Sequence, residues 1–336
     1  MKKIILSFDY ELFFGDLSGT VQKSLIAPTN ALMDQMEAVG FRGNFFVDWL
    51  MIKYLRMQND DRCKDDLQLV TNQLQDMIRR GHRVELHLHP HWMDAKYNGD
   101  GTWNFSDFTH YSLNSLSDAE IESLFVEGVN CLKEIISPVC NDYRIIAFRA
   151  GGWAIQPFNN KTSAFLSSGI CIDSTVAKGC FLEKDNSFFD FRNVPNKSFY
   201  RFKSDVCVET FDHGDFIEVP ISTYYRDAFT SFLSCLSNLV TKKHRRQTDG
   251  SHKRSGDKGH TKLSVFERRK RACMFNLDVL PFRNEIKILL SNRDLLCFLS
   301  HPKDINGYTL SNISRLSKYG ISVSYLDMFN NKSSVC

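Results

Sequence analysis

Along the chain, apolar runs of strand length alternate with segments whose apolar residues recur every three or four positions. The runs fall at Lys3 to Phe8, Gly43 to Val47, Arg83 to His87, Ile145 to Arg149, Ile170 to Ser174, Phe216 to Pro220 and Leu295 to Ser300. Strands separated by helical segments mark βα units around a mostly parallel sheet, and about seven such strands approach a complete barrel. Helical spacing is clearest at Leu67, Val70, Leu74, Met77 and Ile78, a face that ends at Arg79-Arg80-Gly81, with cations in the last turn and glycine just beyond. Ser117-Asp118-Ala119-Glu120 forms a capping box ahead of Ile121, Leu124, Phe125, Leu132 and Ile135. Leu310, Ile313 and Leu316 repeat at the same spacing before Gly320. These apolar residues are predicted core.

Composition narrows the class. With 336 residues and 43% apolar content, the chain reads as one large domain spanning 1–336. Its start, Met1-Lys2-Lys3-Ile4-Ile5-Leu6-Ser7-Phe8-Asp9, reads as a first strand rather than an export signal, because the apolar run stops at a charge without a small-residue cleavage site. No run approaches the ~18 to 20 apolar residues of a membrane span, so a soluble protein is expected. The ten cysteines are scattered, with no CxxC pair, which fits reduced thiols in a cytoplasmic protein. Charge is uneven. Residues 242–271 hold twelve Lys or Arg against Asp249, Asp257 and Glu267, so the rest of a chain of net charge +3 is acidic. The stretch 241–271 is predicted to be a basic, mobile insertion, with Glu267 to Arg271 on a helix.

Four motifs carry candidate chemistry, three of them at the ends of predicted strands, where (β/α) barrels place their reactive groups. Ser7-Phe8-Asp9-Tyr10-Glu11 sets two carboxylates two residues apart, pointing the same way if the chain is extended. One can bind a metal while the other takes a proton from water, although alone they read equally well as solvated loop acids. Glu85-Leu86-His87-Leu88-His89-Pro90-His91-Trp92 packs three histidines into five residues, a density that favours metal binding over core filling and leaves open which of them bind. Ala147-Phe148-Arg149-Ala150-Gly151-Gly152-Trp153 ends a strand on an arginine able to orient a carboxylate, followed by glycine N–H groups able to face an oxyanion. Phe298-Leu299-Ser300-His301-Pro302 places a histidine directly after the last strong strand.

Taken in order, these motifs resemble those of the polysaccharide deacetylase, or NodB-homology, family over residues 3 to about 304. The resemblance implies an incomplete or distorted (β/α) barrel and a hydrolase that removes an acyl group, acetyl above all, from an amino sugar. It assigns His87 and His91 as metal ligands and leaves His89 without a role. The family's first motif usually has two adjacent aspartates, whereas Tyr10 stands in the second place here; the Asp-x-Glu variant makes Asp9 the catalytic base and Glu11 the third ligand. Arg149 matches the arginine that holds the base, and His301 matches the general acid. The acid that tunes this histidine is left to Asp173 or Glu218. The implied cofactor is a divalent metal, zinc first, with cobalt or nickel as alternatives. Trp92 and Trp153 are candidates for stacking on a sugar ring.

Other readings are an amidohydrolase or phosphoesterase built on His87-Leu88-His89, and a catalytically silent carbohydrate-binding member of the same fold. Nucleic acid is not expected, since the basic segment is nearly devoid of aromatic residues. Peripheral contact between that segment and an anionic membrane, or a nucleotide- or lipid-linked substrate, is the preferred use of its charge. The implied setting is cytoplasmic biosynthesis of a surface polysaccharide.

Overall fold

All seven predicted strands form and join one sheet. In chain order they are β1 (Lys2–Tyr10), β2 (Gly43–Asp48), β3 (Arg83–Leu88), β4 (Ala147–Ala150), β5 (Ile172–Asp173), β6 (Phe216–Glu218) and β7 (Leu295–Ser300). Their order across the sheet is β6-β5-β4-β3-β2-β1-β7, and every neighbouring pair is parallel. Tyr200–Phe202 adds an antiparallel edge beyond β6, and Gly320–Ser322 pairs with the first residues of β1. This computed structural model describes residues 1–184, 187–211, 214–254 and 272–329.

The sheet curls into an incomplete (β/α) barrel. Among the described residues no ladder joins β7 to β6. The gap is spanned instead by single bonds: Ser222 N–H donates to the Cys297 carbonyl at 2.9 Å, Phe275 N–H to the Ser222 carbonyl at 2.8 Å, and Leu299 N–H to the Phe275 carbonyl at 3.0 Å. The start of β4 departs from its predicted position for a clear reason. The buried Glu85 carboxylate accepts the N–H groups of Ile146 and Ala147, each at 2.9 Å, so the ladder begins later.

Side chains alternate across the strands as the pleat requires. On β1, Ile4, Leu6, Phe8 and Tyr10 face the helical layer, while Ile5, Ser7 and Asp9 face the barrel interior. Ile5, Phe46, Ala147, Ile172, Ile217, Val219 and Cys297 fill that interior below the site, and Tyr325 packs among them.

Helices α1 (Ala27–Glu37), α2 (Trp49–Met57), α3 (Asp61–Arg79), α4 (Asp118–Ile136) and α5 (Thr162–Ser168) follow the first four strands, with α2 and α3 both after β2. The Ser117–Glu120 capping box opens α4, and Asp60 caps α3 by accepting the Cys63 N–H. Later come α6 (Ala228–Val240), α7 (Pro281–Leu290), α8 (Thr309–Leu316) and α9 (Tyr325–Phe329). No helix of the described residues is long and apolar enough to cross a membrane.

The insertion is larger than its charge suggested. Thr223–Tyr225 pairs antiparallel with Ala272–Met274, so the chain leaves the barrel at Arg226 on a two-stranded ribbon and α6 belongs to the same excursion as the basic stretch. Residues 241–254 lie along the barrel mouth. Asp249 accepts from Thr20 and Ser24, Arg246 and His252 both pair with Asp304, and Arg254 donates to the Phe14 carbonyl. The predicted helix at Glu267 to Arg271, and all of 255–271, lie outside the described residues.

Candidate active site

The site forms at the C-terminal ends of β1, β2, β3, β4 and β7, where the motifs converge. Asp9, on the interior face of β1, lies with its Oδ1 2.6 Å from Arg149 Nη1. Arg149 is itself fully fixed. Its Nε donates to the Ser174 carbonyl at 2.7 Å, its Nη2 to Ser7 Oγ at 2.8 Å, and its guanidinium lies 4.2 Å from the centre of the Phe46 ring. Burial alone would raise the Asp9 carboxyl, but the charge of Arg149, helped by His87 and His301, outweighs it and holds the group below the usual carboxylate range. The guanidinium thus orients a carboxylate, as the motif suggested.

Two residues further on, Glu11 gathers three cationic or ionisable partners at close range. His89 Nε2 is 2.7 Å and His87 Nε2 is 3.1 Å from its Oε2, while Lys303 Nζ is 2.7 Å from its Oε1. Burial again works against the charge. Lys303 first, then His89, bring the Glu11 carboxyl well below its ordinary value.

Glu11, His87 and His89 form a cluster whose ligand atoms lie within 4.8 Å of one another. His91 is not part of it. The strand pleat explains the choice: His87 lies near the end of β3 and His89, just past it, continues the extended conformation, so the two point the same way. Pro90 then starts a 3-10 turn, Pro90–Asp94, which carries His91 off that face. The His91 ring packs against Phe14, Phe105, Phe108 and Tyr111, and its Nε2 donates to the Asp107 carbonyl at 2.8 Å. Burial lowers its pKa to about 4, so it is neutral.

The cluster fits a divalent cation. His87 Nδ1 lies 2.7 Å from the Arg149 carbonyl and donates to it, which leaves Nε2 of the neutral ring as a lone pair facing the Glu11 carboxylate. That contact is favourable only if a proton or a metal ion sits between them. Without metal, burial is overcome by Asp9 and Glu11, and the His87 pKa rises to about 9. Outward N–H donation to a backbone carbonyl is how metal-bound imidazoles are oriented, and two imidazoles with one carboxylate is a common zinc donor set.

His301, just past β7, completes the mouth. Its Nε2 is 3.5 Å from Asp9 Oδ2, and its Nδ1 is 3.6 Å from Asp304 Oδ2. Its side chain is 20% exposed against 6% for Asp9 and Glu11, so it is the one that meets the opening. Burial lowers its pKa despite the neighbouring acids.

Other sequence candidates sit elsewhere. Asp173 and Glu218 occupy paired positions on β5 and β6 and face away from the barrel interior. Burial first, then the charge of Asp173, raises the Glu218 carboxyl well above its ordinary value, and burial raises Asp173 as well. Neither is paired with His301, whose Nδ1 faces Asp304 instead. Trp92 is fully buried, donates from Nε1 to Asp48 Oδ2 at 2.7 Å and packs on Trp103, so it presents no face to a sugar. Trp153 is half-buried against Phe189, with a left-handed backbone (φ 58°).

Lys303, Asp304 and Asp48 were missed by the sequence reading. The first two lie two and three residues after His301, and Asp48 ends β2, so the strand-end rule that selects Asp9 also selects it. The Asp48 carboxylate accepts the His89 N–H at 3.2 Å, and burial pushes its pKa up to about 7.

No family profile and no curated protein matches the chain. Among solved structures, it is similar to a "putative polysaccharide deacetylase from Mycobacterium smegmatis", with 10% identity over 99% of this chain and 91% of that one and a TM-score of 0.50. A 4-alpha-glucanotransferase from Thermococcus litoralis gives 10% identity over 98% of this chain and 40% of its own, with a TM-score of 0.49. A "putative glycoside hydrolase/deacetylase" from Parabacteroides distasonis gives 9% over 94% and 64%, also at 0.49. At such identities the likeness is one of fold, and the chain shares its fold with the deacetylase-like protein from Mycobacterium smegmatis.

Proposed function

We propose that the protein is a metal-dependent hydrolase that removes an acyl group, acetyl above all, from an amino sugar, cleaving a linear amide. The observation that carries this is the convergence at one barrel mouth of an arginine-held carboxylate (Asp9), a buried two-histidine, one-carboxylate cluster (Glu11, His87, His89) and a partly exposed histidine (His301). Each role in amide hydrolysis then has an occupant. A divalent ion, zinc first with cobalt and nickel as alternatives, held by Glu11, His87 and His89, would supply Lewis acidity and a more acidic water. Asp9, kept ionised by Arg149, takes the proton from the attacking water. His301 faces the opening and delivers a proton to the departing amine, with Asp304 beside its Nδ1.

A carbohydrate substrate is supported by a cavity of about 330 Å³ beside His91, whose lining mixes Asn98, Asn104 and Ser106 with Phe108 and Arg254, and by the description of the protein from Mycobacterium smegmatis as a "putative polysaccharide deacetylase". The proposed setting is cytoplasmic surface-polysaccharide biosynthesis, on a nucleotide- or lipid-linked substrate.

The test is metal content per chain, with acetate release from N-acetylated amino-sugar oligomers as the accompanying assay. Wild type should hold near one ion, His89→Ala and Glu11→Ala should lose it, and His91→Ala should keep it. One observation favours a second reading, a metal-free and catalytically silent carbohydrate binder: the Lys303 ammonium already neutralises Glu11. That reading takes over if wild type binds no ion after incubation with zinc, cobalt or nickel.

A further inference from the structure

Helix α6, Ala228–Val240, contains no charged residue, and Thr230 is the sole buried one. Phe229, Phe232, Leu236 and Leu239 recur at helical spacing, yet they face outward: Phe232 is 64%, Leu239 81% and Val240 76% exposed. Helix α7 is tied to the start of α6 by Lys287 and Asp227 (2.6 Å), and it too exposes Phe282, Leu289 and Leu290. Exposed apolar residues on this scale on two adjoining helices mark a binding surface.

The chain that follows α6 decides which kind. Lys242, Lys243 and Arg245 are exposed and pair with no acid among the described residues. An uncharged helix with an outward apolar face, running straight into unpaired cations, has the pattern of a helix lying in the interface of an anionic bilayer. The same segment continues to the barrel mouth, where Arg246 and His252 hold Asp304 beside His301.

We propose that the insertion docks the protein on an anionic membrane surface, with α6 as the embedded element and Lys242, Lys243 and Arg245 on the lipid headgroups. The docked protein then meets amino sugars carried on membrane lipid. This last clause rests on the hydrolase reading; the docking does not.

The full chain is sedimented with vesicles of phosphatidylcholine alone or with about 30 mol% phosphatidylglycerol, at low and high salt. Wild type should sediment with the anionic vesicles, less so as salt rises, and Phe232→Ser/Leu239→Ser and Lys242→Glu/Lys243→Glu should each lower binding by about tenfold or more. Both variants are at the surface, so their circular dichroism should match wild type. Docking is overturned if wild type stays in solution, or if the apolar pair of substitutions leaves vesicle binding intact. It is also overturned if light scattering shows a dimer that the Phe232→Ser/Leu239→Ser variant dissociates, since the face is then a protein interface. Vesicle binding without any acetate release supports docking and overturns only the hydrolase reading.

Discussion

Lys303 donates to Glu11 Oε1 at 2.7 Å and to the Leu12 carbonyl at 2.8 Å, on the side of the carboxylate away from the two imidazoles at Oε2. The ammonium is almost fully buried. It stabilises a deprotonated Glu11 when no metal is present, and it opposes the charge of a metal when one binds. Replacing it by methionine removes both effects. Metal-free Lys303→Met should lose roughly 3 kcal/mol, the order expected when one member of a buried pair is removed, and it should bind zinc more tightly than wild type. Thermal melts in chelator and in zinc measure both. A zinc-induced rise in melting temperature no larger in the variant than in wild type would sink this account.

The strands and the arginine-held carboxylate were legible because each depends on local pattern. The interior face of β1 follows from alternation, and the arginine that ends β4 was readable from its place after an apolar run. The choice between His89 and His91 was not, because it turns on where Pro90 breaks the extended chain. The role of Lys303 was hidden for another reason. A lysine is ordinarily solvated, and only the fold brings it across 292 positions to Glu11. Helix α6 shows the converse, since its apolar spacing would suggest core while its exposure places it outside.

Asp9→Asn keeps the shape of the side chain but removes the base. Arg149 still has an oxygen to bond, so the fold and metal content should match wild type while kcat for acetate release falls by about two to four orders of magnitude. Steady-state kinetics beside metal analysis checks it. Loss of metal in this variant would show that Asp9 ligates rather than accepts the proton.

His82 should make the fold sensitive to mild acid. Its Nδ1 accepts the Gly43 N–H at 2.9 Å and its Nε2 faces Glu37 at 3.2 Å, so the neutral ring is satisfied and a second N–H would collide with that of Gly43. Burial lowers its pKa to about 4 from an ordinary 6.5. Between those values the unfolded chain holds a proton that the folded one lacks, so stability is present above pH 6.5 and is lost as pH falls. The contribution is roughly 2 kcal/mol between pH 7 and 5. Urea denaturation should show a flatter dependence over this range in His82→Gln.

The Asp173–Glu218 pair works in the opposite direction. Its raised folded-state pKa means that the folded chain keeps a proton the unfolded chain releases, so stability falls as pH rises above the ordinary glutamate value. In Glu218→Gln an amide N–H donates to Asp173 in place of the acid proton, and the proton held on Glu218 no longer titrates. Relative to wild type the variant should gain stability steadily from pH 5 to 8, with acetate release unchanged. A constant difference across that range would mean that Glu218 holds no such proton.

Gly151 packs closely against the His89 ring. A Cβ there would stand 2.6 Å from the Leu88 carbonyl oxygen and 2.7 Å from Cγ and Nδ1 of His89. The closest contact is main chain, so an alanine displaces the backbone here and disturbs the His89 ring packed beside it. Gly151→Ala should therefore fold but bind zinc about tenfold more weakly or worse, the range seen when the support of a metal ligand is disturbed. Gly152→Ala is the control. Its Cβ would meet only Tyr111 at 3.6 Å, an ordinary contact, but its φ of +61° costs a non-glycine residue about 1 kcal/mol of stability. Calorimetric titration with zinc should separate the two, with affinity lost at 151 and kept at 152. If both variants bind like wild type, His89 is not held in place by Gly151 and the close contact has no bearing on the metal.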